Sequence, residues 1–203
     1  MKTLFIPAKS TLQITDLEIK SLSKKLPKNF TIAYSIQYKE LAEKIKLNLS
    51  KKHKINSFIQ VLGCSKPKLP KSTKSVLLIS DGKFHATSLA YETKIPVYLF
   101  TSGILEKISK KEIEIFSKKQ KGAYLKYLHA EKIGILISTK SGQENLKKAI
   151  DFQKKIKNKK SYLFISNNID TNEFENFQID SWINTSCPRM DMNEGSIINI
   201  SKI

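Results

Sequence analysis

Arginine is almost missing from this chain. All but one of its 36 basic residues are lysines, the exception being Arg189, and with 18 acidic residues the formal net charge is +18. Gripping nucleic acid by phosphate and base edge draws on arginine's planar fork. The lysines here are also spread over nearly every polar segment, as at Lys24, Lys51, Lys110, Lys118 and Lys159, rather than gathered in a stripe. A bias in composition explains that spread better than a dedicated nucleic-acid surface does, and leaves a general attraction to acidic partners. Cysteine is scarce as well. Cys64 and Cys187 are the whole supply and neither belongs to a CxxC pair, which excludes zinc-finger and thioredoxin-like signatures. In a reducing compartment a structural disulfide is not expected, and each thiol by itself reads as buried and inert. No stretch approaches the roughly 20 apolar residues of a membrane-spanning helix. The apolar run in the opening MKTLFIPAKS is too short for a signal-peptide core. The expectation is a cytoplasmic protein.

What is present is ordinary globular material, 40% hydrophobic over 203 residues, enough for one large domain or two small ones. Short apolar runs alternate with amphipathic stretches. Strands are expected over 3–7, 30–36, 55–62, 76–80 and 96–100, with helices over 16–25, 38–52 and 85–92. Leu41, Ile45 and Leu49 mark one helical face. The Lys/Pro/Ser stretch at 65–75 is a solvated loop. Thr101-Ser102-Gly103 punctuates the chain and is the candidate domain boundary. Beyond it the rhythm repeats: a helix over 105–129, a strand at 133–137, a helix at 142–157, a strand at 161–165, and a closing strand pair near 181–185 and 196–200. The fold class is α/β, as two small parallel-sheet units.

Ligands of such folds bind beyond the carboxyl ends of the strands. The residues there are Gly63-Cys64, Asp81-Gly82, Ser138 to Gln143, and Thr185 to Arg189. Ser141, with Glu144 three residues on, reads as a capping box whose free N–H groups form an anion site; a plain capped helix fits the same pattern. Asp81-Gly82 is by itself a turn signal, and His85 reads as a helix-start or packing residue. His53 and His129 read as surface residues. Thr185-Ser186-Cys187-Pro188-Arg189 is less generic, because the lone arginine is placed to pair with a carboxylate or to favour the thiolate of Cys187.

In order along the chain, FIPAKS (5–10), SIQY (35–38), QVLGC (60–64), SDGKFH (80–85), STKSGQ (138–143) and NTSCPRM (184–190) resemble the diphthamide biosynthesis enzymes, the 2-(3-amino-3-carboxypropyl)histidine synthases. The resemblance implies three similar α/β domains, each giving one cysteine to a single [4Fe–4S] cluster. Cys64 matches the ligand of the middle domain and Cys187 that of the last. The first domain's cysteine has no counterpart, so the resemblance implies a split or truncated form: residues 1–10 as a strand completing the sheet of a missing first domain, 11–103 as the middle domain, 104–203 as the last. It also implies a reaction, in which the reduced cluster cleaves a C–S bond of S-adenosylmethionine and the 3-amino-3-carboxypropyl radical adds to a histidine of translation elongation factor 2. By motif position, Gln37, Asp81, Thr139, Gly142, Gln143 and Arg189 line the S-adenosylmethionine pocket. The carboxylate of that substrate suits the helix start at 141–143, and its sulfonium or amine suits Asp81. No general base is evident.

Two thiolates are a poor hold for a cubane cluster. The third comes from a separate chain, from a homodimer neighbour, or not at all. The expected partners are elongation factor 2 and a chain carrying the first domain, in a homo- or hetero-dimer, with no membrane and no direct nucleic acid. The rival readings are a non-catalytic scaffold subunit of the same enzyme and a basic nucleic-acid-binding protein.

Overall fold

The computed structural model describes residues 4, 6, 8–62, 67–192 and 196–203. In the first part of the chain, caps set the helices. Thr15 and Glu18 form a capping box at the start of α1 (Asp16–Lys25), the Glu18 N–H donating to Thr15 Oγ1 at 3.3 Å and the Thr15 N–H to Glu18 Oε2 at 2.7 Å. β1 (Asn29–Tyr34) runs into a 3₁₀ turn at Ile36–Tyr38 and then α2 (Lys39–Leu49), which buries Leu41, Ile45 and Leu49 as their spacing demands. β2 (Lys54–Gln60), β3 (Val76–Ile79), α3 (Lys83–Thr93) and β4 (Val97–Thr101) follow. The sheet order is β2-β1-β3-β4, all parallel. Its strands read as continuous apolar runs because both faces are covered. Phe30, Ile32, Leu77 and Ile79 pack against α1 and α2, while Ala33, Leu78, Val97 and Leu99 pack against α3.

A fifth strand, β5 (Ile104–Lys107), lies antiparallel to β4, where the sequence reading began a helix at 105. Ser102 (φ +47°) and Gly103 (φ +81°) both have positive φ, and Thr101 pairs with Ile104. That is a two-residue hairpin turn of type I′, whose twist matches the strands it joins. Thr101-Ser102-Gly103 is therefore a hairpin tip. The long helix α4 (Lys110–His129) starts later, behind a capping box of Ser109 and Glu112. The chain divides into two compact units, Met1–Glu114 and Ile115–Ile203, so the division lies within α4 rather than near residue 103.

The second unit contains β6 (Lys132–Ser138), α5 (Leu146–Lys155), β7 (Lys160–Ser166), β8 (Ser181–Asn184) and β9 (Ile197–Asn199), in a parallel sheet of order β7-β6-β8-β9. Ile133, Ile135, Ile137 and Ile183 pack against Ala123 of α4 and Ala149 of α5. Among the described residues no α-helix packs on the opposite face. There Trp182 stacks on Phe174 of a 3₁₀ helix (Thr171–Asn176), with ring centroids 4.1 Å apart, and meets Phe164 edge-on. A Cβ at Gly134 would sit 2.3 Å from a Trp182 ring carbon, so β6 keeps glycine where the indole crosses it.

The α/β class with two largely parallel sheets is thus observed, β5 being the antiparallel addition. Numbered within each unit, both sheets run second-first-third-fourth. Chain direction across the sheet reverses between β1 and β3, and again between β6 and β8; the crevice outside those strand ends is where ligands bind. Two expectations fall outside the described residues. Cys64 is one. Of the strand expected over 3–7, only Leu4 and Ile6 are described, both exposed and in no strand. Among the described residues no helix is long and apolar enough to cross a membrane.

Candidate functional site

In the first unit, β1 ends in Ser35 to Tyr38 and β3 in Ser80 to Gly82. The buried Tyr38 donates its hydroxyl to the Asp81 carboxylate, bridging the crevice between those two strands. Burial first, and the Asp81 bond second, push the Tyr38 phenol up to about 12. The Ser10 side chain also bonds Tyr38, and the Ser10 N–H donates to the Gln37 carbonyl at 2.8 Å. Alongside, Ser35 Oγ donates to Ser80 Oγ at 3.2 Å, and Ser80 Oγ lies 3.1 Å from His85 Nδ1. Residues of three sequence motifs (FIPAKS, SIQY, SDGKFH) therefore meet at one strand-end crevice. Gln37 enters through its backbone carbonyl, and Asp81 is exposed. A cavity of about 20 Å³ beside His85 is lined also by Leu62 and Pro67, the residues flanking 63–66. Tyr38 is the residue that sequence reading passed over. Its signal was a hydroxyl-bearing ring next to Gln37, just past a strand.

The second crevice carries Thr139 to Gln143 after β6 and Thr185 to Arg189 after β8. The capping box expected at Ser141 is not formed. The Gln143 N–H donates to the Lys140 carbonyl at 2.9 Å and Gly142 sits at φ +77°, which is a glycine-requiring β-turn. α5 begins only at Leu146. Asn145, at its N-cap position, makes no capping bond and instead donates to the Thr185 carbonyl at 2.8 Å. The helix start expected over 141–143 therefore does not form there, and the turn uses the Gln143 N–H. Thr139 and Gly142 are exposed and Gln143 is half-buried.

The loop bearing Cys187 is pinned from several directions. Thr185 donates its N–H (3.2 Å) and Oγ1 (2.7 Å) to the Leu136 carbonyl, and the Ser138 N–H donates to Ser186 Oγ at 2.9 Å. Asn184, fully buried, accepts from the Ser186 N–H and donates to the Cys187 carbonyl, both at 2.8 Å. This Asx-type closure leaves Cys187 half-buried, free of any disulfide, with its backbone fixed between β6 and β9. Arg189 is exposed and makes no salt bridge among the described residues. No group of three or more His, Cys, Asp and Glu able to hold a metal occurs among the described residues. Cys187 nonetheless fits an iron–sulfur ligand: a partly accessible thiol on a rigid turn, followed by Pro188, which has no N–H of its own. A cluster would need further thiolates from outside the described residues.

The family model described as "Putative diphthamide synthesis protein" matches residues 1–197. The 2-(3-amino-3-carboxypropyl)histidine synthase of Pyrococcus horikoshii is 26% identical over 206 residues, covering 95% of this chain and 60% of that protein. The synthase of the same name from Methanocaldococcus jannaschii is 29% identical over 208 residues, covering 96% and 57%. Among solved structures, Dph2 from Pyrococcus horikoshii superposes with a TM-score of 0.76 at 21% identity, over 94% of this chain and 61% of that one. A crystal structure of Dph2 from the same organism with a 4Fe–4S cluster gives 0.74 at 22%, over 92% and 59%. The chain thus spans about 60% of the length of these relatives, and the superpositions establish the shared fold. Matched by the family model over nearly its whole length, the chain belongs to the diphthamide synthesis protein family.

Proposed function

We propose that this chain is the cluster-binding part of an S-adenosylmethionine-dependent 3-amino-3-carboxypropyl transferase acting on a histidine of elongation factor 2, in the first step of diphthamide synthesis. The observation that carries the reading is Cys187, held half-buried on a hydrogen-bonded turn at the switch point of its sheet, in a family whose relative has been solved with a 4Fe–4S cluster. Cys64 and Cys187 are the iron ligands of this chain, and a third thiolate comes from a partner chain carrying the first domain. When bound, the cluster supplies the electron that breaks the C–S bond of S-adenosylmethionine.

The chain's own residues orient that substrate. Asp81, fixed by the Tyr38 hydroxyl, offers a carboxylate to the sulfonium or amine. Gln37, Thr139, Gly142 and Gln143 contribute to the pocket, and Arg189, which forms no salt bridge among the described residues, suits the substrate carboxylate. The test is transfer of carboxyl-labelled S-adenosylmethionine to elongation factor 2 under anaerobic reducing conditions, with a protein supplying the third cysteine present or absent. Label on elongation factor 2 only when both proteins are present is the expected result. A loaded cluster with no transfer under any pairing would instead make the chain a non-catalytic scaffold.

A further inference from the structure

A concave feature of the second unit lies away from the strand-end crevice. A groove of about 1330 Å³ runs between the end of α4, the length of α5 and the 3₁₀ turn Ile200–Lys202. Its floor includes Tyr127, Phe152, Ile156 and Ile200, each only partly buried against the core. α5 itself is amphipathic in sequence yet buries only Ala149 fully. A helix whose apolar stripe is left half-covered lacks one of its packing partners. Lys147, Lys148, Lys155 and Lys157 line the groove against Glu144 and Asp151, and none of the four lysines forms a salt bridge among the described residues. Lys159 is different, because its ammonium is spent on the Leu128 and Ala130 carbonyls at 2.7 Å each.

We propose that this groove docks an acidic amphipathic helix of a partner protein. The volume exceeds the roughly 300–1,000 Å³ of small-molecule clefts, and an apolar floor with a rim in which lysines outnumber the two acids, Glu144 and Asp151, suits the helix-in-groove arrangement. The occupant's apolar residues at i, i+3, i+4 and i+7 cover Phe152 and Ile156, and its carboxylates meet the lysines. A second copy of this chain is disfavoured by its own +18 charge. Nucleic acid has no aliphatic side chains for the floor, and a planar bilayer cannot follow concave walls.

The experiment titrates the 203-residue chain with a fluorescent 18-residue peptide carrying leucine at helical spacing and glutamate elsewhere. A lysine-for-glutamate version and a scrambled acidic version serve as controls. The acidic amphipathic peptide is expected to bind at least tenfold tighter than either control, and less tightly as salt rises. Ile156→Asp and Lys148→Glu should each weaken it at least fivefold with circular dichroism unchanged. A variant that unfolds is replaced by Lys155→Glu, at an exposed position. Equal binding of all three peptides, or parent-like binding by the folded variants, would overturn the proposal. So would sedimentation showing a dimer, or binding of anionic vesicles or RNA, that Ile156→Asp abolishes.

Discussion

The two units share a strand order but close their crevices by different means. In the first, side chain meets side chain: Tyr38 reaches from the end of β1 to Asp81 at the end of β3. In the second, side chains grip backbone: Asn184, Thr185 and Ser186 tie the loop after β8 to the ends of β6 and to itself. The cysteines also differ in sequence order: Cys187 follows the third strand of its unit, whereas Cys64 comes in the sequence after the second, β2. A repeated topology therefore does not impose a repeated site. It supplies equivalent strand ends, and the residues at each end decide whether a carboxylate or a thiol is presented.

The sharpest way to break the comparison is through the aromatic cover of the second unit. Trp182→Ala removes the ring that stacks on Phe174 and spans Gly134, and should destabilise that unit by about 3–5 kcal/mol. Amide exchange should accelerate across β6 to β9 and leave β1 to β4 protected; equal loss in both sheets would erase the distinction. Asn184→Ala comes next. It removes one acceptor and one donor from the half-buried Cys187 turn, worth about 1–3 kcal/mol. Its signature is faster alkylation of Cys187 by a neutral maleimide in the folded protein, and an unchanged rate would show that the turn holds without it.

The smallest effect concerns the first crevice. Tyr38→Phe loses the hydroxyl's bonds to the Asp81 carboxylate and to Ser10, about 1–2 kcal/mol. Its pH dependence is diagnostic. The folded-state phenol ionises near 12 rather than at its ordinary value of 10, so its contribution to stability is complete below pH 10 and is lost as pH rises from 10 through 12. Melting temperature in the parent should fall over that window more steeply than in Tyr38→Phe, and absorbance at 295 nm should lose its latest-ionising phenol in the variant. Parallel melting curves would contradict the Tyr38–Asp81 bond.

Much of this was legible in the sequence because it is local. The period of Leu41, Ile45 and Leu49, and the apolar run Val76 to Ile79, become buried faces as their patterns demand. The misreadings are also local and have physical causes. Thr101-Ser102-Gly103 reads as a boundary because a two-residue turn and a linker share the same residue types; only the pairing of Thr101 with Ile104 separates them. Ser141 and Glu144 have capping-box spacing, but Gly142 at positive φ turns the chain before the helix can start. His53, read as a surface residue, is partly buried and bonds Ser23 and the Pro27 carbonyl. What no local pattern could show is strand order. It alone makes Tyr38 and Asp81 neighbours across 43 residues, and Ser138 and Ser186 across 48.

Iron binding tests the ligand assignment most directly. After anaerobic reconstitution with iron and sulfide, together with a protein supplying the third cysteine, the parent chain should show the absorbance and electron paramagnetic resonance of a [4Fe–4S] cluster. Cys64→Ala and Cys187→Ala should each lose most of the bound iron while keeping the parent's circular dichroism. Iron content in both variants equal to that of the parent would contradict the assignment.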